Sequence, residues 1–495
     1  MTGGRAAAGG GADAATDAGT AESGAQPRRR AEAAQGTRAV QSLDAEQDVE
    51  AGLGAEADQR AGPRPTTSGL GQARRARYLT VAVLSLTLIA YALLAFGYIT
   101  LTPIWQNPDE PAHFNYARFV AETGGLPELR AGDWDSAFLE RLKNGGLAPT
   151  DSVASIRYES WQPPLYYLLA APLTRLGLAD DAPAQVFALR TFDALLGALT
   201  LGLAYLVARE VLPGQLALAV PAVIVGVPMF TAVSAAISAD PLANLLASGI
   251  LLHLVRRLRR STRDWGWPLV AGILIGLGLL TKLALAIFVP VALVVIGVRS
   301  SRRVRESAIL LATAALVLVP WLVHQVTTYG WTDPLALARH AAVVQDQQRF
   351  PGLSPEYARD FLTITFHSFW AQFGWMGVVA PPRLYLAWGV LMLVAAAGLV
   401  LNRRRLIEPT WLLLLGTLAA AVLAFVGYNL AFEQFQGRYL FTALTPIAIL
   451  LVTGWAAWLP ARAQPAGLLL VAGLLVALNA YALLRVLALG FAPTG

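Results

Sequence analysis

The 495-residue sequence contains no cysteine, which excludes disulfides, thiolate metal sites and cysteine nucleophiles. Charge is scarce too: charged residues make up 14% of the chain and hydrophobic residues 56%, where ordinary soluble domains carry about 25% charged residues. There is no G-x-x-x-x-G-K-[ST] loop and no glycine-rich fingerprint after a strand, so the usual cradles for soluble nucleotides are missing. The five histidines, His113, His253, His324, His340 and His367, form no H-E-x-x-H pattern. These absences argue against a cytoplasmic ATP or nucleotide-sugar site. Any substrate reaches the chain from the membrane or its outer face.

What the sequence has in quantity is long apolar runs, with a mean hydropathy of +0.52. Runs of about 18–25 nearly uncharged residues match the thickness of a hydrocarbon core. The pattern predicts an all-α polytopic membrane protein of about eleven spans, near 78–101, 186–208, 215–236, 240–256, 266–281, 283–299, 306–327, 384–402, 410–431, 439–459 and 466–490. Residues 1–77 are rich in Ala, Gly, Asp, Glu, Gln and Arg and poor in large apolar residues. That composition predicts a disordered tail without a signal peptide. The net charge of +6 and isoelectric point near 9.6 come from short basic runs between spans, so nucleic acid is not an expected partner.

Those basic runs set the expected topology. Arg74, Arg75 and Arg77 precede the first span and place the N-terminus in the cytoplasm. The runs at 256–263, 299–305 and 402–405 join them there only if QPPLYYLLAAPLTRLG, residues 162–177, does not cross. That stretch opens with Pro163-Pro164 and carries Arg175, which suits a helix along the membrane surface. Two long loops, 102–185 and 328–383, then fall outside, and residues 78–495 form one membrane domain.

Ionisable residues near the outer surface are the candidate site. Asp109 and Glu110 stand in WQNPDEPAH, just beyond the first span, on an elbow stiffened by Pro108 and Pro111. Two readings fit their spacing equally: an acidic cap for the helix containing His113 and Tyr116, or a catalytic carboxylate. Asp240, in AISADPLANLL, is either a cap with proline in the first turn or a second acid on the same face. Lys282 is either a snorkelling lysine or a partner for an anionic headgroup. Arg438 offers a fork of donors matched to phosphate oxygens, and Tyr439 follows it.

Taken in order, PDEPAHFNYARFVAETGGLP, WQPPLYYLLAAPL, LRTFDALLGALTLGLAYLVARE, SADPLANLLASGILL, GLGLLTKLALAIFVPVAL, SFWAQFGWM and QGRYLFTALTPIAIL resemble the GT-C membrane glycosyltransferases, in the branch of protein O-mannosyltransferases and lipid A aminoarabinose transferases. The ordered set carries the resemblance, and FWAQFGWM with QGRYL is similar to a sparsely characterised bacterial subgroup. It implies a bacterial cytoplasmic-membrane enzyme with its active site on the outer face. It also implies a polyprenyl-phosphate-linked sugar donor, an inverting transfer to an acceptor hydroxyl, and a catalytic acid in the first outer loop, here Asp109 with Glu110 beside it. Asp240 matches a further acidic position. Arg438 and Lys282 would then hold the lipid phosphate, with His113, Tyr116, Gln162 and Tyr439 as further substrate contacts. Gln162 stands where relatives often carry histidine. No cofactor is required, and a divalent metal would be compatible without being indicated. The chain ends directly after the last span, without the large C-terminal soluble domain of better-known members, which makes a dedicated protein-acceptor domain improbable.

Two rival classes share many of these features: a transporter or flippase for lipid-linked glycans, and a non-catalytic envelope scaffold. A transporter wants charges near the midplane and repeated halves. The acids here sit at the rim, and no internal repeat is visible.

Overall fold

The structure, a computed structural model, describes residues 67–145, 152–175, 181–260 and 266–492. The chain divides into two units, Met1–Ala76 and Arg77–Gly495. The expected disordered tail therefore lies almost wholly outside the described residues, apart from the opening of the first helix.

Helix α1, Thr67–Leu101, is the first apolar run and ends before Pro103, which cannot continue it. Three short helices follow: α2 (Glu110–Thr123), α3 (Ser136–Gly145) and α4 (Leu165–Ala170). Gly124, at φ 70°, stops α2 in a left-handed conformation that costs glycine little. The last of the three runs on as a 3₁₀ turn, Ala171–Arg175. Together with that turn α4 is too short to cross a bilayer, and Tyr166 and Tyr167 are buried beneath it while Leu168 and Leu169 are exposed. The segment expected to lie along the membrane surface thus forms no spanning helix among the described residues.

Helix α5, Ala182–Val211, starts on the Asp181 side chain, which accepts from the Ala184 amide. The apolar run after it does not make a straight span. A 3₁₀ turn (Gly214–Leu218) leads into α6 (Ala219–Val225), and α7 (Pro228–Ser234) leaves at 69° to that pair. Pro228 has no N–H to donate to the helix before it, which accounts for the break. Then come α8 (Asp240–Arg259), α9 (Trp267–Leu279), α10 (Phe288–Arg299) and α11 (Arg303–Tyr329). The 13 residues of α9 reach only about 20 Å at 1.5 Å per residue, short of a hydrocarbon core of about 30 Å.

Among the described residues seven helices are long and apolar enough to cross a membrane, or eight with the bent pair counted as one. The all-α, multi-pass class expected from the sequence is observed. The count of eleven is not confirmed: the run 215–236 is bent at Pro228, the helices in 266–281 and 283–299 are shorter than 18 residues, and α8 is not among the helices long and apolar enough to cross.

The second long loop holds α12 (Leu337–Val343), α13 (Pro355–Trp370) and a two-stranded antiparallel hairpin, β1 (Gln372–Phe373) with β2 (Val378–Val379). Four apolar helices finish the chain: α14 (Pro382–Leu401), α15 (Pro409–Asn429), α16 (Leu444–Ala456) and α17 (Gln464–Tyr481), the last extended by a π turn, Ala482–Leu487. Helices α14 and α16 meet backbone to backbone, because Gly398 and Gly454 leave no side chain between them. A Cβ on Gly454 would strike the Ala395 backbone, and overpacking of that kind costs about 1–3 kcal/mol or more. Gly454→Leu should therefore lower the thermal unfolding midpoint in detergent. Gly473→Leu, on α17 with open space around it, should leave the midpoint nearly unchanged.

Candidate active site

The sequence puts Asp109 and Glu110 side by side, and the backbone sends them apart. Trp105 and Asp109 both adopt left-handed conformations, at φ 69° and 65°, a region that Asp tolerates better than most residues. The turn is pinned from the second loop, where Trp375 Nε1 donates to the Trp105 carbonyl at 2.9 Å.

Glu110 points into the protein and is fully buried. Arg190, on α5, grips it with two parallel bonds, Nε to Oε1 and Nη2 to Oε2, each 2.7 Å. The same guanidinium donates to the carbonyls of Ile99, Thr102 and Pro103 at 2.8–3.1 Å, the last carbonyls of α1 and its exit. The Trp105 amide and Asn107 Nδ2 also donate to Glu110, at 3.0 and 3.2 Å. Every oxygen of Glu110 is occupied, and Arg190 gathers the carbonyls left free at the end of α1.

Asp109 faces the other way. It occupies the N-cap position of α2, but its side chain makes no capping bond. Its Oδ2 accepts from Arg438 Nη2 at 2.6 Å and its Oδ1 from the Tyr158 hydroxyl at 2.9 Å. Arg438 opens the 3₁₀ turn Gly437–Ala443, at the head of the segment that continues into α16. Its Nη1 lies 3.9 Å from Asp240, which also takes an ion pair from Lys282. The Tyr439 ring sits under both cations, 5.3 Å from Lys282 Nζ and 5.6 Å from Arg438 Cζ. Two carboxylates and two cations thus form one neutral cluster. Burial works to raise the Asp109 carboxyl, but the Arg438 charge and its hydrogen bonds outweigh that and hold it below the usual carboxylate range.

Arg438 is 8% exposed and its Nε has no hydrogen-bond partner. It borders a small pocket with apolar walls from Met229, Val233, Phe373 and Leu487 and polar groups from Asn107 and Ser238. His113 and Tyr116, on α2, pack behind the cluster: His113 Nδ1 lies 2.7 Å from the Tyr167 hydroxyl, and the Tyr116 ring stacks on Tyr167 at 3.6 Å. Burial depresses His113 to about 4, so its ring is neutral at pH 7. Gln162 gives its carbonyl to the Tyr116 hydroxyl at 3.1 Å and its Nε2 to Glu159. Among the described residues no group of three or more His, Asp or Glu is arranged to hold a metal ion.

The fold therefore brings Asp109, Asp240, Lys282, Arg438 and Tyr439 into one place, with His113, Tyr116 and Gln162 around it, and turns Glu110 away. Sequence reasoning missed Arg190, Tyr158 and Glu159. For Arg190 a signal existed: an arginine inside an apolar span demands a buried partner. Tyr158 and Glu159 lie in an irregular stretch whose spacing carries none.

Residues 162–324, about a third of the chain, match the family described as dolichyl-phosphate-mannose-protein mannosyltransferase. A sequence comparison with curated proteins finds no match. The fold is similar to that of ArnT from Cupriavidus metallidurans bound to undecaprenyl phosphate, with a TM-score of 0.52 and 16% identity over 79% of this chain and 63% of that one. The apo form of the same protein gives 0.51 and 17% over 81% and 64%. The chain thus spans under two thirds of the length of this relative. The GT-C fold expected from the sequence is the fold observed.

Removing one member of a buried ion pair costs about 3–5 kcal/mol. Arg190→Met or Glu110→Gln should therefore lower the thermal midpoint in detergent by many degrees, and Asp109→Asn, whose carboxylate keeps 24% exposure, should lower it by less. Equal midpoints for all three variants would contradict the structural role of the Glu110–Arg190 pair.

Proposed function

We propose that this chain transfers a sugar from a polyprenyl-phosphate donor to an acceptor hydroxyl at the extracytoplasmic face of a bacterial cytoplasmic membrane. The observation that carries this reading is Arg438: it bonds Asp109 on one side and borders an apolar-walled cavity on the other. An amphiphile with an anionic head and a hydrocarbon tail matches that pairing. The fold shared with a protein that binds undecaprenyl phosphate supports it.

The reaction follows from the charges. The acceptor oxygen attacks the anomeric carbon and its proton passes to Asp109. The bond from that carbon to the phosphate oxygen breaks, and its electron pair stays on the phosphate. Arg438 and Lys282 stabilise the growing negative charge. Direct displacement by one base needs no enzymic nucleophile and inverts the anomeric centre. Asp109 is a weak base while Arg438 bonds it. A donor phosphate competes for Arg438, and each bond it takes raises the Asp109 carboxyl towards useful basicity. Asp240 holds Lys282, and Tyr439 keeps the two cations apart. Glu110 acts only through the elbow it fixes.

Purified protein incubated with radiolabelled polyprenyl-phosphate mannose, glucose and arabinose should release or transfer label from at least one, and release from none would overturn the reading. Asp109→Asn should reduce that activity by about 10²–10⁴-fold, the usual contribution of a general base, with a smaller fall in thermal midpoint than Glu110→Gln. Arg438→Ala should weaken binding of undecaprenyl phosphate at least about tenfold, the loss of one charge-assisted bond. Unchanged affinity would remove Arg438 from the phosphate site.

A further inference from the structure

The site holds a third carboxylate that the transfer chemistry does not use. Glu159 sits between Tyr158, which bonds Asp109, and the PP turn that opens α4, and it is 9% exposed. Its Oε2 accepts from Gln162 Nε2. Among the described residues its Oε1 has no hydrogen-bond partner, and it is not among the polar atoms sealed away from solvent. Glu110, by contrast, has both oxygens bonded. One oxygen held and one left open is the arrangement of a group that meets a ligand.

We propose that Glu159, oriented by Gln162, hydrogen-bonds a hydroxyl of the donor's sugar, and that it is a specificity residue for the sugar. The proposal rests on the reading that a polyprenyl-phosphate sugar is held at the cluster of Asp109, Asp240, Lys282 and Arg438. In that complex the sugar lies between the phosphate on Arg438 and Lys282 and the base at Asp109. Glu159 is within electrostatic reach of all three, and of the Tyr167 and Tyr428 hydroxyls. Burial first, and then the Asp109 charge, raise Glu159 to about 8, while Lys282, Gln162 and Arg438 work in the opposite direction. At neutral pH it is a hydrogen-bond donor. As pH rises through about 8 it ionises, loses the proton it donates, and sets a second negative charge beside Asp109.

The proposal is tested by binding, with the full-length protein in nanodiscs, comparing undecaprenyl phosphate with its mannosyl, glucosyl and arabinosyl forms at pH 6.5 and 9. At the lower pH the wild type should bind at least one sugar form about tenfold more tightly than the bare lipid phosphate, the effect of one well-placed hydrogen bond. That preference should collapse at pH 9. Glu159→Gln keeps a donor at every pH, so it should retain most of the preference at both. Glu159→Ala should lose the preference at both pH values, with the loss confined to the sugar forms at pH 6.5. A preference that survives in Glu159→Ala, or one that still collapses at pH 9 in Glu159→Gln, would overturn the assignment. So would a wild type with no preference for any of the three sugars. If Asp109→Asn abolishes transfer while Glu159→Ala binds as wild type does, this inference fails alone. If Asp109→Asn transfers normally, the reading of the reaction fails instead.

Discussion

The arrangement depends on the buried pair of Glu110 and Arg190. Arg190 reaches from α5 to three carbonyls at the exit of α1 and to both oxygens of Glu110. It thereby fixes how the chain leaves the membrane helix and where α2 begins. Only because Glu110 is clamped inward does the left-handed residue before it turn its own carboxylate outward. Two adjacent acids become a structural anchor and, on the proposed reading, a reactive group. Neither role belongs to aspartate or glutamate as such; each follows from the cation that the fold supplies.

The second pair of cations works under the opposite constraint. Arg438 and Lys282 meet Asp109 and Asp240 in a cluster of zero formal charge. A phosphate entering it does not need to be paired from scratch. It competes for donors already in place, and their alternative partners are carboxylates rather than water. Lys282 and Arg438 retain 22% and 8% side-chain exposure, whereas Arg190 retains 2%. That difference separates a site from an anchor.

Much of the fold class was legible in the sequence, because uncharged apolar runs of hydrocarbon length are what a bilayer requires of a crossing helix. Basic loops were the reason to expect residues 162–177 outside the membrane, and α4 with its 3₁₀ turn is too short to span it. The span count is not confirmed where Pro228 bends one run and where the helices on either side of Lys282 are too short to cross alone. At the site, Asp109, Asp240, Lys282 and Arg438 were visible because charge near hydrocarbon is costly and therefore conspicuous. Their pairing was not, since 329 residues separate Asp109 from Arg438 and no local pattern connects them. The choice between Asp109 and Glu110 was equally closed to spacing, because it turns on a backbone torsion and on Arg190. Tyr158 and Glu159 lie in RYESWQPP, where tyrosine and glutamate look like ordinary loop residues until the fold brings Asp109 alongside.

The electrostatics of the site show how a general base can stand beside a cation. Beside Arg438 the Asp109 carboxyl is held low, too low for an efficient base near neutral pH. The same low dielectric that makes this pairing strong makes its exchange consequential: drawing Arg438 towards a phosphate removes the largest influence that lowers Asp109. Burial, which favours the neutral acid, then works unopposed on that side. On the proposed reading the donor's own charge switches on the base that consumes it. Water reaching the site without a donor meets a carboxylate still tied to its arginine.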